Sequence, residues 1–179
     1  DGIKKEAPSV IQKLKQLGIQ VKMFTGDSKE IALSIGDKVG IKDVSYHLLP
    51  DDKYQLLEKE IQTNTQKTAF VGDGINDAPS LALADVGISM GSIGSASAIE
   101  ASDVVIMTDD LEKIVTSIQI SKFTTHIVKQ NLIFAMIVKI VVLLLSGLGV
   151  ASMWQAVFAD TGVTLLTILN TTRILKLHF

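Results

Sequence analysis

The chain has 179 residues, 47% of them hydrophobic and 20% charged, with only 3 Pro; this is a globular composition that excludes disordered and fibrous classes and fits one ordinary domain or two small ones. Its 17 basic and 19 acidic side chains leave a formal net charge of −2, so no broad cationic surface exists to grip a nucleic-acid backbone, and nucleic acid is not an expected partner. The lack of cysteine excludes a disulfide framework, a zinc ribbon and thiol chemistry within these residues.

From Asp1 to about Asp110 charges recur every few residues and the pattern is that of a soluble βαβ series. Ala7 to Leu17 sets Val10, Ile11, Leu14 and Leu17 on one helical stripe, with Gly18 as a stop. Gln20 to Thr25 reads as a strand, and Ser28 as the cap of a helix that runs through Lys38 and ends at Gly40. A short strand is predicted at Tyr46 to Leu49, a charged helix at Asp51 to Gln62, and a strand at Lys67 to Val71. A short helix near Pro79 to Ala84, a strand at Val86 to Ser89, a helix at Ala96 to Ala101 and a strand at Val104 to Met107 follow. Such alternation predicts an α/β fold with a parallel sheet and helices on both faces.

The mean hydropathy of +0.36 is high for a soluble domain, and its source lies further along. Asp109 or Asp110 is expected to cap a helix with Leu111, Ile114, Val115 and Ile118 on its apolar stripe, and no Pro or Gly interrupts it before Gly147. Unbroken, it is a rod of ~50–60 Å. Residues 111–130 read as a stalk and 131–179 as a transmembrane helix hairpin with a C-terminal tail. Asn131 to Val150 carries one charge in twenty residues, Lys139, and Ala151 to Thr172 one more, Asp160. Each segment can cross ~30 Å of hydrocarbon at ~1.5 Å per residue. Lys122, His126 and Lys129 precede the first span, Arg173, Lys176 and His178 follow the second, and the connection from Ser146 to Gln155 has no charge. By the positive-inside rule the soluble part and the C-terminus face the cytoplasm of a multi-pass cell-membrane protein. Trp154 is then an interfacial anchor on the far side. The segments close the chain, so they do not read as a signal peptide. The alternative is two buried helices of a large soluble protein.

Chemistry concentrates where parallel strands end, the edge at which such sheets present ligands. One strand ends in Thr25-Gly26-Asp27, another in Gly72-Asp73-Gly74-Ile75-Asn76-Asp77-Ala78-Pro79. Asp73 and Asp77 suit an oxygen-only Mg²⁺ site. The Thr25 hydroxyl and Gly26 N–H suit a phosphoryl oxygen, and Lys53, after Leu49-Pro50, can neutralise phosphate charge. Singly, each piece also reads as ordinary turn chemistry or a solvated lysine. Together, after a buried strand, they argue for phosphoryl chemistry.

These strings resemble the P-type ATPases, ion pumps whose phosphorylation domain has the haloacid-dehalogenase fold, over essentially the whole chain. Thr25-Gly26-Asp27, Pro50-x-x-Lys53 and Gly72-Asp73-Gly74-x-Asn76-Asp77-x-Pro79 stand as in that family. The resemblance implies that Thr25 and Lys53 contact an aspartyl phosphate, that Asp73 binds Mg²⁺, and that Asn76 and Asp77 shape that site. It implies ATP as the phosphoryl donor. It further implies partners outside these residues: a nucleotide-binding domain, a strand bearing the nucleophile in Asp-Lys-Thr-Gly-Thr, and a Cys-Pro-Cys helix. That strand would lie mid-sheet, between the one ending at Thr25 and the one ending at Val71. Residues 1–110 would thus be the C-terminal part of the phosphorylation domain, inactive alone.

Lys139 and Asp160 are opposite charges ~12 Å and ~20 Å deep from the same side, near enough for the lysine stem to reach the carboxylate close to the midplane. Intramembrane charges demand a partner or a pathway; a purely structural ion pair or a snorkelling lysine is the alternative. Asn131, Ala135 and Lys139, followed by Asp160 and Gly162, resemble the last helix pair of the zinc, cadmium and lead exporters. That resemblance implies Asp160 as ligand to the transported divalent metal and Lys139 as internal counter-ion. Asp160-Thr161-Gly162-x-Thr164 superficially matches a phosphorylation or aspartic-protease string, but it lies in an apolar span without the lysine or a second copy. Two other readings stay open: a non-catalytic membrane-anchored Mg²⁺ or phosphate-binding module, and a stand-alone phosphatase using Asp1.

Overall fold

Pro8 sits in the first turn of α1 (Ala7–Gln16), where its missing N–H costs no helical hydrogen bond, and Val10 and Leu14 turn a buried face inward. The fold is known from a computed structural model whose described residues are 2–72, 75–91, 96–150 and 152–176. They fall into two compact units, Asp1–Val115 and Thr116–Phe179.

The first unit continues with β1 (Lys22–Phe24), α2 (Lys29–Val39), β2 (Asp43–Ser45), α3 (Pro50–Thr63), β3 (Ala69–Gly72), α4 (Ala78–Leu83), β4 (Val86–Met90), α5 (Ala96–Glu100) and β5 (Val104–Ile106). All pairings are parallel, but the strands form two sheets, β1-β2 and β3-β4-β5, rather than one. Among the described residues one edge of β1 and one edge of β3 therefore carry no partner strand. Ser28 takes the N-cap position of α2 through its backbone, its carbonyl accepting from Ala32 N–H at 2.9 Å, without a side-chain cap.

The second strand lies three residues earlier than its predicted place at Tyr46 to Leu49. Lys22, Met23 and Phe24 pair with Asp43, Val44 and Ser45, which lets Ile41 and Val44 join the cluster of Ala7 and Val39, with Leu111 packed against it. Residues 46–49 instead turn: His47 has φ 55°, a left-handed conformation unsuited to a strand, and Leu49 is 68% exposed. Each fully buried side chain of this core contributes roughly 1.5–3 kcal/mol. In the other sheet, carboxylates fix β4 at its start. Asp85 accepts from Lys67 at 2.5 Å and from Thr68 N–H at 2.9 Å, and Asp103 accepts from Gly87 N–H at 2.9 Å.

Asp110, of the two predicted caps, accepts from Glu112 N–H at 2.9 Å and starts α6 (Glu112–Gly147). At 36 residues α6 is unbroken and about 54 Å long. Only 6% of its most apolar stretch is buried, and Leu132, Ile137, Leu143 and Leu144 are each more than half exposed. α7 (Met153–Thr171) follows. The prediction of two equivalent spans is narrowed here, because among the described residues α6 alone is long and apolar enough to cross a membrane. Gln155, Asp160, Asn170 and four threonines make α7 the more polar partner.

Candidate functional site

Two turns at the carboxyl ends of β1 and β3 build the candidate active site. Thr25 leaves β1 with its N–H on Ser45 O at 3.0 Å, and its half-buried hydroxyl donates to Asp27 Oδ2 at 2.9 Å while accepting from Asp27 N–H at 3.1 Å. Asp27 thus closes the turn and orients the threonine. Its carbonyl accepts from His47 N–H, and Thr25 O accepts from Leu48 N–H, so the turn is tied to the segment entering α3. At Gly26 a Cβ would lie 3.2 Å from Leu48 O, so this turn is closely packed against that segment.

Leu48 leads through Leu49 and Pro50 into α3. There Asp52 accepts from Leu49 N–H at 2.9 Å, an acidic cap on the helix that carries Lys53. Lys53 Nζ donates to Asp77 Oδ1 at 3.0 Å, with the two side chains only 21% and 13% exposed. Asp77 comes from the 3₁₀ turn Ile75–Asp77 and precedes α4. It can sit there because residue 72 is glycine: a Cβ would fall 2.9 Å from Asp77 Cβ and 3.1 Å from Asp77 Oδ2. Lys53 and Asp77 are therefore brought together. The Thr25 turn is linked to them through α3, and Asn76 lies in the same 3₁₀ turn with its side chain exposed. Asp73, the predicted Mg²⁺ ligand, lies outside the described residues, as do Asp1 and His178. Of the two predicted Mg²⁺ ligands Asp77 alone is described; its carboxylate oxygens are of the hard type such a cation prefers, and Oδ1 is held by the Lys53 ammonium.

In the second unit Lys139 Nζ lies 3.4 Å from Asp160 Oδ1, beside a cavity of about 200 Å³ lined by Val142, Ser146, Ala156 and Val163 among others. Both side chains are about two-thirds exposed, 65% and 64%, leaving the pair open on one side. Among the described residues no three His, Asp or Glu side chains converge, so Asp160 is a single carboxylate facing a single ammonium.

Sequence reasoning missed two features. The strained His47 beside the Thr25 turn has no sequence signal, since its φ arises from the early end of β2. Asn170, which donates to Asn131 Oδ1 at 2.8 Å, sits in a polar helix end that reads as ordinary flanking sequence.

The first unit is of the haloacid dehalogenase-like hydrolase class: the profile of that family matches residues 1–85. The chain is 48% identical over 99% of its length to a cadmium, zinc and cobalt-transporting ATPase of Bacillus subtilis (strain 168), covering 26% of that protein. It is 46% identical over 98% of its length to a zinc-transporting ATPase of Synechocystis sp., covering 25%. A crystal structure of a zinc-transporting PIB-type ATPase in its E2.Pi state superposes with a TM-score of 0.91 at 34% identity, over 98% of this chain and 28% of that one. Over nearly its whole length the chain is thus similar to heavy-metal-transporting P-type ATPases, and it spans about a quarter of the length of the curated relatives it matches.

Proposed function

We propose that the chain is part of an ATP-driven exporter of divalent heavy-metal cations, zinc, cadmium or lead, that works through an aspartyl phosphate formed outside these residues. Residues 1–110 then act as the C-terminal part of the phosphorylation domain, 111–130 as a stalk, and 131–179 as a membrane hairpin whose ends, with the soluble part, face the cytoplasm. The edges of β1 and β3 receive the strand that carries the nucleophile. The observation that carries the reading is the Lys53–Asp77 ion pair at 3.0 Å, linked through α3 to the Thr25 turn, in a chain whose relatives are metal-transporting ATPases.

Each residue has a defined task in this reading. The Thr25 hydroxyl turns its hydrogen from Asp27 Oδ2 to an oxygen of the aspartyl phosphate, which Gly26 N–H also holds, while the Asp27 N–H keeps the threonine oxygen in place. Lys53 offsets the charge on the transferred group, and Asp77 fixes its ammonium in place. Asp73 and Asp77 would hold Mg²⁺, which supplies further charge stabilisation when bound; Asn76 shapes that turn. ATP reaches the site from the nucleotide-binding domain. In the membrane, Asp160 is the ligand of the transported cation and Lys139 its counter-ion when the cation leaves. α6, which begins on the core of the first unit at Leu111, is the element that carries motion.

In the full-length transporter, Asp73→Asn is expected to abolish turnover of the phosphoenzyme while metal binding persists. Normal ATPase activity in that variant would overturn the assignment.

A further inference from the structure

α6 and α7 run antiparallel, and beyond the Lys139–Asp160 pair they are joined by a second polar cluster, between the middle of α6 and the C-terminal end of α7. Asn131 Nδ2 donates to Thr167 O at 3.2 Å and to Thr171 Oγ1 at 3.0 Å, and its Oδ1 accepts from Asn170 Nδ2 at 2.8 Å. Asn170 Oδ1 in turn accepts from Arg173 at 3.1 Å. Both amide hydrogens and the carbonyl of Asn131 are thus committed to α7.

The spacing relates this cluster to the ion pair. Asn131 precedes Lys139 by 8 residues on α6, and Thr167 follows Asp160 by 7 on α7, so the two contacts lie the same two turns apart on each helix and belong to one antiparallel register. Val138, Ala159 and the buried Val163, among the side chains between the helices, are small and apolar and line the cavity beside the ion pair, so they do not favour one register over its neighbours. Sliding by one turn would carry Lys139 about 5.4 Å past Asp160. The amides resist such sliding because their hydrogen bonds are directional and each would lose its partner one turn away.

We propose that Asn131 and Asn170 are positioning residues: their amide clasp fixes the register of α6 on α7 and so holds the Lys139 ammonium at the Asp160 carboxylate. The inference rests on the transport reading only for its consequence in turnover. The register itself is a matter of these two helices.

The test uses the full-length transporter with a Lys139→Cys, Asp160→Cys pair, and mass spectrometry of the oxidised peptide pair as the measure of register. Because the ion pair is absent from this background, the yield reports what else aligns the helices. Adding Asn131→Ala or Asn170→Ala is expected to lower the yield about fivefold, and the double substitution to add little more. Leu132→Ala, beside the clasp but exposed, is expected to leave it unchanged. With Lys139 and Asp160 intact, Asn131→Ala is expected to slow Zn²⁺-stimulated turnover about tenfold while phosphorylation by inorganic phosphate persists. Unchanged cross-linking in Asn131→Ala and Asn170→Ala, or an equal loss in Leu132→Ala, would overturn the clasp. Absence of any Zn²⁺-stimulated turnover in the wild type would instead count against the transport reading, with the cross-link still deciding the register.

Discussion

At Gly72 the lack of a single carbon shapes the site, because a Cβ there would collide with Asp77 at 2.9 Å. Gly72→Ala is therefore expected to push Asp77 away from Lys53 and to lower the ATPase rate of the full-length protein at least about tenfold, at unchanged expression. A rate within twofold of wild type would show that the turn absorbs the methyl group. Lys53→Met removes the cationic partner of a carboxylate only 13% exposed, and is expected to destabilise the fold by about 1–3 kcal/mol in denaturant titrations. Lys53→Arg is expected to recover stability better than activity, since the longer planar group moves the charge. Asp77 stood out in a motif that follows the strand ending at Gly72, and Lys53 at the start of a helix after Leu49-Pro50; their ion pair emerges only in the fold. The twist of His47 was not, because it depends on where β2 stops, a tertiary matter of Ile41 and Val44 reaching the core.

Between elements, Lys22 on β1 ties β2 to α3 by donating to Glu60 at 2.7 Å and lying 3.2 Å from Asp43. The Lys22 ammonium holds the Glu60 carboxyl below its ordinary value, and Glu60, ahead of Asp43, raises the lysine above its own. The folded state thus binds fewer protons at Glu60 than the unfolded chain does near pH 4. Its stabilisation is present above the unfolded value of 4.5 and lost as pH falls through the lower folded value. The contribution of Lys22 is present below 10.5 and lost as pH rises through its raised value. Glu60→Gln should flatten the acid limb of the melting-temperature profile by about 1–4 °C and leave Asp43 as the remaining partner. An acid limb identical to wild type would place the source of acid lability elsewhere. Most elements of the first unit were legible from periodicity and stop signals, as α1 with its Val10 and Leu14 face illustrates. The second strand was misplaced because Leu48 and Leu49 look like strand residues but serve the turn into α3. α7 was judged on length and scarcity of charge, and its threonines and asparagines make it a polar companion of α6.

Over the whole chain, which spans about a quarter of the length of its curated relatives, the described residues form two parallel sheets, with β1 and β3 each unpaired along one edge, and a long apolar helix exposed along most of its length. Unpaired strand edges invite pairing and large apolar patches invite burial, so both features are surfaces that take partners. Fold class was readable from alternation of elements, and family from three short strings. The split of the sheet was not readable from that alternation, which marks strands but not their neighbours. The central claim joins the two units functionally, Asp160 binding the cation whose arrival licenses chemistry at the Thr25, Lys53 and Asp77 site. It is tested most directly by Zn²⁺-dependent phosphorylation from ATP in the full-length transporter carrying Asp160→Ala. The account predicts that this phosphorylation is lost while phosphorylation from inorganic phosphate remains; Zn²⁺-dependent phosphorylation at the wild-type level would contradict it.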